Sequence, residues 1–195
     1  LTITFQKDKT LNVLSNRVLH LVTKLLVGPK VVEHKLVTKE LTHKNSLGID
    51  IGGTFIKYAL MDKYYCIKDK WKIDTIKYDT AAELYDYICS NIRSIDEIDK
   101  IGVSAPGLID EDSCVKSYAA PNVAIMYGTN INNEISKRTN KKVASINDAK
   151  AAGLCEFELG NAKGYKSSAF LIIGTGTGGC ICDENGVIYG KDAFA

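Results

Sequence analysis

The sequence predicts an α/β fold, and three observations carry that prediction. After residue 46, three β-like runs (47–51, 55–61 and 64–73) follow one another across short turns, as antiparallel neighbours do. Helical and strand-like segments then alternate, which is the α/β order. Glycine clusters close two of the apolar runs where the chain must turn sharply, at Gly52-Gly53 and at residues 174–179. Residues 81–95 place apolar side chains at 81, 84, 85, 88, 92 and 95, predicting an amphipathic helix capped by Thr80 or Asp79. Residues 100–104 form a fourth strand, ended by Ala105-Pro106-Gly107, and a long polar stretch runs to about Thr129. Residues 130–138 read as a helix and 142–146 as a fifth strand. Residues 148–159 read as a helix closed by Gly160, and 168–173 and 180–183 as strands, with Glu184-Asn185-Gly186 as a hairpin turn. No short-period repeat is present.

The chain has 195 residues, 45% hydrophobic and 25% charged, with only 3 Pro, a globular balance that argues against disorder or fibre. No apolar run reaches the roughly 18–20 residues that span a bilayer, so a membrane location is not expected. The opening residues Leu1 to Phe5 lack the pattern of a signal peptide. Residues 1–46 carry eight Lys/Arg against three Asp/Glu, a net of +5, and all three His. This is the charge asymmetry of a basic arm, with helical spacing over part of 11–26. Forty-six residues are short for an independent DNA-binding module, and no turn joins two clear helices there, so nucleic acid is not the expected partner. The six cysteines form no CxxC pair and have no His at metal spacing. Reduced, buried thiols are the expectation.

Three constellations carry chemistry. In Gly48-Ile49-Asp50-Ile51-Gly52-Gly53-Thr54, an apolar strand delivers a carboxylate to its end and two glycines turn the chain back. Such glycines let backbone N–H groups approach an anion, Thr54 adds a hydroxyl, and Asp50 could hold Mg2+ directly or through water. Read alone, the segment is equally a plain hairpin whose Asp caps the turn. Gly174-Thr175-Gly176-Thr177-Gly178-Gly179 offers four glycines and two hydroxyls to nucleotide phosphates. It is neither a P-loop nor a dinucleotide fingerprint, because no Gly-Lys-Ser/Thr follows and a strand rather than a helix comes next. A glycine-rich hairpin remains the alternative. Asn147-Asp148 sits at a strand-to-helix junction, where Asp148 is either an N-cap or a general base that takes a proton from an attacking hydroxyl.

The order of these segments resembles the ROK sugar kinases and regulators, members of the actin-like ATPase superfamily. The runs that carry the resemblance are residues 48–54, Gly102-Val103-Ser104-Ala105-Pro106-Gly107-Leu108-Ile109-Asp110, Pro121-Asn122, Asn147-Asp148-Ala149-Lys150-Ala151-Ala152 and residues 174–179. The resemblance implies an RNase-H-like lobe with a mixed five-stranded sheet at 47–165, the first strands of a second, truncated lobe at 166–195, and a basic extension of unknown role at 1–46. It implies ATP-dependent phosphorylation of a hexose, with ATP and Mg2+ as cofactors, a small sugar as partner and a cytoplasmic location. Asp148 is then the catalytic base. Asp50, Gly52, Gly53, Thr54, Thr175, Gly176 and Gly178 serve phosphate and Mg2+, while Gly107, Asn122, Asn147 and Asp148 serve the sugar. Residues 127–130 (Tyr127, Gly128, Thr129, Asn130) lie near where the acceptor is chosen.

Departures from the family pattern matter equally. Phe55 stands where many members carry Lys, removing a cation beside the first turn, and Cys180 stands where Gly is common. The Glu-x-Gly-His segment, the zinc site and most of the second lobe of family members have no counterpart among these 195 residues. The expectation is therefore a kinase by descent whose 195-residue form has little activity, an exposed half-interface and no homodimer of the full-length kind. A sugar-responsive repressor and a non-catalytic sugar-binding protein are the alternative readings.

Overall fold

The computed structural model describes residues 45–64, 66–173 and 177–193. Five strands form the first sheet: β1 (Asn45–Ile51), β2 (Phe55–Met61), β3 (Ile67–Asp74), β4 (Ile98–Ala105) and β5 (Lys142–Asn147). Their order is β3-β2-β1-β4-β5. β1, β2 and β3 make the expected antiparallel meander, while β4 and β5 run parallel to β1 on its other side. The predicted mixed five-stranded sheet is thus observed. A second sheet, order β6-β7-β8, holds β6 (Ser167–Ile173), β7 (Thr177–Asp183) and β8 (Gly186–Val187), all antiparallel.

Strand position follows side-chain chemistry. β1 is central and buried along nearly its whole length, and Leu47, Ile49 and Ile51 send three apolar side chains into one core. β3 lies at the edge and carries Lys68, Lys70 and Lys72, a charged edge that discourages further strand pairing. Trp71 anchors β3 by stacking on the Tyr58 ring at 5.0 Å and donating its Nε1–H to the Asn91 carbonyl at 3.1 Å.

α1 (Ala81–Ser90) and α2 (Ile131–Thr139) cover one face of the first sheet, with Leu84, Tyr85, Ile88, Ile131 and Ile135 completing its core. Thr80, not Asp79, caps α1 through a reciprocal capping box with Glu83. α1 ends at Ser90, five residues before its apolar spacing does. Asn91 closes it, Ser94 takes a left-handed φ of 52°, and a short 3-10 turn (Ile95–Glu97) follows. Ile92 and Ile95 still pack on the core from this turn, so the periodicity outlasted the helix that would ordinarily explain it. The long polar stretch contains a further 3-10 turn (Ala124–Met126).

α3 (Asp148–Leu159) is buried on nearly every side, as a helix between two sheets must be. Its Ala151 and Ala152 pack with Ile146 and Ile172, while Leu154, Cys155 and Phe157 pack with Cys180 and Cys182. Buried Lys150 donates from Nζ to the Ala193 carbonyl at 2.8 Å and lies over the Tyr189 ring, which ties a last 3-10 turn (Lys191–Ala193) to this helix. Burial lowers the Lys150 pKa. The cysteines are all free thiols, but Cys66 is exposed and Cys89 and Cys114 are half-buried, so full burial holds only for Cys155, Cys180 and Cys182. No described helix is long and apolar enough to cross a membrane. The expected helix within residues 11–26 lies outside the described residues.

Candidate active site at the carboxyl ends of the parallel strands

β1, β4 and β5 run parallel and end together, the place where open α/β sheets bind ligands. Asp50 lies beside Ser104, and Ala105 beside Asn147, in direct register. The strand ends therefore bring Asp50, Ser104, Asn147 and Asp148 to one edge. The Asp50 carboxylate accepts from Ser104 Oγ at 2.8 Å through Oδ1 and pairs with Lys57 Nζ at 3.3 Å through Oδ2.

The first glycine turn is tightly held. Gly52 N–H donates to Phe55 O at 3.0 Å, Thr75 Oγ1 donates to Gly52 O at 2.7 Å, and Thr75 N–H donates to Thr54 O at 2.9 Å. Thr54 itself is exposed. A Cβ on Gly53 would stand 2.6 Å from Ala120 Cβ, so only glycine lets residues 117–122 cross here. Asn122 donates from Nδ2 to Gly53 O at 3.0 Å, binding this crossing to the turn. The same stretch passes Gly107, whose φ of +90° favours glycine and whose Cβ would meet Ser117 and Ala119.

The strand-to-helix junction separates two roles that the sequence left open. Asn147, not Asp148, is the N-cap: its Oδ1 accepts from Lys150 N–H at 3.1 Å. Asn147 Nδ2 donates to Gly107 O at 2.8 Å and to Asp148 Oδ1 at 3.0 Å. Asp148 Oδ1 also accepts from Ala149 N–H at 2.8 Å, and among the described residues nothing bonds its Oδ2. Asp148 presents an exposed surface, yet protein crowds it on its other sides, and that loss of water raises its carboxyl pKa. The nearby Asp50 charge raises it further, against the lowering effect of the Ala149 and Asn147 hydrogen bonds.

The second glycine segment reaches the same place from the other sheet. Gly178 lies so close to α3 that its Cβ would stand 2.5 Å from Ala149 Cβ, one residue from Asp148. Thr177, Gly178 and Gly179 belong to β7 rather than to a loop, with Thr177 paired to Ile173. Thr175 and Gly176 lie outside the described residues. Of the other residues singled out by sequence, Asp50, Gly52, Gly53, Thr54, Gly107, Asn122, Asn147 and Asp148 are linked by the contacts above.

Two residues were missed. Lys57 and Ser104 flank Asp50 from neighbouring strands. Lys72 stands beside Lys57 on β3 and places Nζ 3.8 Å from the Phe55 ring centre. Cations from β2 and β3 therefore stand beside the turn where Phe55 supplies none. The signal was available for Lys57: strand alternation from Phe55 puts it on the same face.

The ROK family model matches residues 46–195. The chain is 31% identical over 151 residues to an N-acetylgalactosamine kinase of Shewanella sp. (strain ANA-3), covering 76% of this chain and 48% of that protein. It is 29% identical over 151 residues to a glucokinase of Thermotoga maritima, covering 76% of this chain and 47% of that one. A crystal structure of a ROK family glucokinase from Streptomyces griseus, in complex with glucose and AMPPNP, matches with a TM-score of 0.64 at 28% identity. That match covers 77% of this chain and 48% of the other. The chain thus spans about half the length of these relatives. With this sheet order and a family match over three quarters of its length, this protein belongs to the ROK family.

Proposed function

We propose that this site belongs to an ATP-dependent sugar kinase that phosphorylates a hydroxyl of a hexose or related sugar. The observation that carries the reading is the division of labour at 147–148: Asn147 caps the helix, which leaves the Asp148 carboxylate near Asp50 and one residue from the close approach of Gly178 to Ala149. In the reaction, the acceptor hydroxyl oxygen bonds to the γ-phosphorus of ATP and the bond to the β,γ-bridging oxygen breaks. Asp148 receives the hydroxyl proton, and ADP leaves. Backbone N–H groups and hydroxyls of Gly53 and Thr54, with Thr175, Gly176 and Gly178, receive phosphate oxygens, while Gly52, its N–H held by Phe55 O, shapes the turn.

The donor set at the strand ends is all oxygen and fits Mg2+, which keeps several waters and takes one or two carboxylates. Asp50 would hold it, with Lys57, already paired with that carboxylate, adding positive charge beside the phosphates. When bound, Mg2+ supplies charge neutralisation on the phosphates. Gly107 and Asn122 face the sugar hydroxyls, Asn122 through Oδ1, since its Nδ2 serves Gly53. Asn147 commits both amide hydrogens to Gly107 and Asp148, so its main effect in this reading is to orient the base. A sugar sensor needs no base at this place, which favours the kinase.

The test pairs binding with turnover on the full chain. Calorimetry with Mg-ATP and with each of glucose, N-acetylgalactosamine and N-acetylmannosamine precedes a phosphate-transfer assay on the same panel. Asp148→Asn is expected to lower transfer by at least about 100-fold with little change in sugar affinity. Undiminished transfer in that variant removes Asp148 from the role of base. Sugar binding without any transfer favours the sensor, and binding of neither ligand rejects the site.

A further inference from the structure

A row of side chains crosses four neighbouring strands on the face of the first sheet that carries Asp50. Register sets Ser104 of β4 beside Asp50 of β1, Asp50 beside Lys57 of β2, and Lys57 beside Lys72 of β3. Residues directly opposite one another share a face, so the row reads hydroxyl, carboxylate, ammonium, ammonium. Leu47, Ile49 and Ile51 alternate to the other face and fill the core. The row therefore holds two cations against one anion. Asp50 is committed to its immediate neighbours, Ser104 Oγ at 2.8 Å and Lys57 Nζ at 3.3 Å.

Lys72 is the member left over. It is exposed, and among the described residues it pairs with no carboxylate, although Asp74 stands two residues on along the same face of β3. Its Nζ lies instead 3.8 Å from the centre of the Phe55 ring. Phe55 follows Thr54 directly, so Lys72 meets the first side chain past the glycine turn. β3 is fastened to that turn, because Thr75 bonds both Gly52 O and Thr54 O. A ring face holds an ammonium weakly and leaves its charge intact, whereas a carboxylate would cancel it. Like charges directly opposite on neighbouring strands repel, and Lys57 and Lys72 stand in that relation. An anion at the turn relieves this repulsion.

We infer that Lys72, held on the Phe55 ring, is a phosphate-binding residue that contacts the terminal phosphates of the nucleotide at the Gly53-Thr54 turn. The inference deepens the kinase reading above and rests on it. Phe55 brings no charge to the turn; its ring positions one borrowed from the next strand. Lysine suits this task as a compact point charge with three donors on a flexible stem. Terminal phosphates, which carry the most negative charge of the nucleotide, gain most from it.

The experiment is a calorimetric titration of the full chain with Mg-ATP, Mg-ADP and AMP. Lys72→Gln should weaken Mg-ATP about tenfold, Mg-ADP less, and leave AMP unchanged. Lys72→Arg should keep most of the affinity, because the charge and its seat on the ring survive. Phe55→Leu should weaken Mg-ATP about threefold, since an unguided Lys72 loses more rotamer freedom on binding. Lys70→Gln is the control: Lys70 lies on the same face of β3, one row farther from the turn and opposite Ala59. It should change Mg-ATP affinity by less than about twofold. Parent-like binding of Mg-ATP by Lys72→Gln overturns the assignment alone. An equal loss in Lys70→Gln overturns it too, since a general field of charge would then be acting rather than a contact. So does a loss in Lys72→Gln of the same size for all three nucleotides. Failure of the parent chain to bind Mg-ATP rejects the kinase site itself, and the role of Lys72 with it.

Discussion

β1 and β6 each open an antiparallel meander, and each delivers the chain into a glycine-rich segment, but they live in different surroundings. β1 has β2 on one side and β4 on the other, with both of its faces shielded. β6 has β7 alone, and its side chains alternate between the α3 side and solvent: Phe170 and Ile172 turn inward, while Leu171 and Ile173 are 71% and 72% exposed. Ile181 of β7 continues the exposed apolar face. Two strands of similar composition thus differ in what they contribute to stability, and the difference is one of neighbours rather than of residue type.

The largest expected effect breaks this comparison directly. Leu47→Ala in β1 should cost about 2–5 kcal/mol, since a fully buried side chain leaves a cavity. Leu171→Ala in β6 should stay within about 0.5 kcal/mol. Urea unfolding of the two variants reads both values, and equal losses would show that the outer face of β6 is covered in solution. A smaller effect sharpens the contrast within β7. Gly178→Ala forces a methyl group against Ala149 and should cost about 1–3 kcal/mol, while disturbing the first turn of α3. Gly179→Ala meets nothing nearer than Phe170 O at 3.7 Å and should be milder by the same unfolding assay.

The smallest effect concerns charge at the junction of the two regions. With its carboxyl pKa raised, folded Asp148 holds a proton more tightly than the unfolded chain does. The stability this confers is present below the unfolded pKa and is lost as pH rises through the folded one. Asp148→Asn should therefore melt slightly higher than the parent at pH 7, and the gap should close as the pH falls into the acid range. Thermal unfolding across that range checks the sign; a variant that melts lower at pH 7 would mean that Asp148 stabilises the fold in its charged form.

Much of this was legible in the residues. Apolar runs and turn residues located the strands, Thr80 and Gly160 marked helix ends, and the segments around Asp50, Gly107 and Asp148 pointed to the strand ends where the candidate site lies. What escaped was set by contacts across the sheet. Lys57 and Ser104 matter because register places them beside Asp50, and register is a property of pairs of strands. The end of α1 escaped because Ile92 and Ile95 keep helical spacing while packing from a turn. The cap of α3 escaped because the sequence offered Asp148 for it, whereas Asn147 takes that place by accepting from Lys150 N–H while its amide is held by the Gly107 carbonyl.

α3 touches β4 and β5 of one sheet and β6, β7 and β8 of the other, with Asp148 at its tip. Tilting the two sheets toward one another would use this helix as the axle. An atom on an axle travels least, so the proton acceptor would stay nearly still while the flanking turns swing around it. Closure in such an architecture would bring the reactants to the base, and would not require the base to move to them.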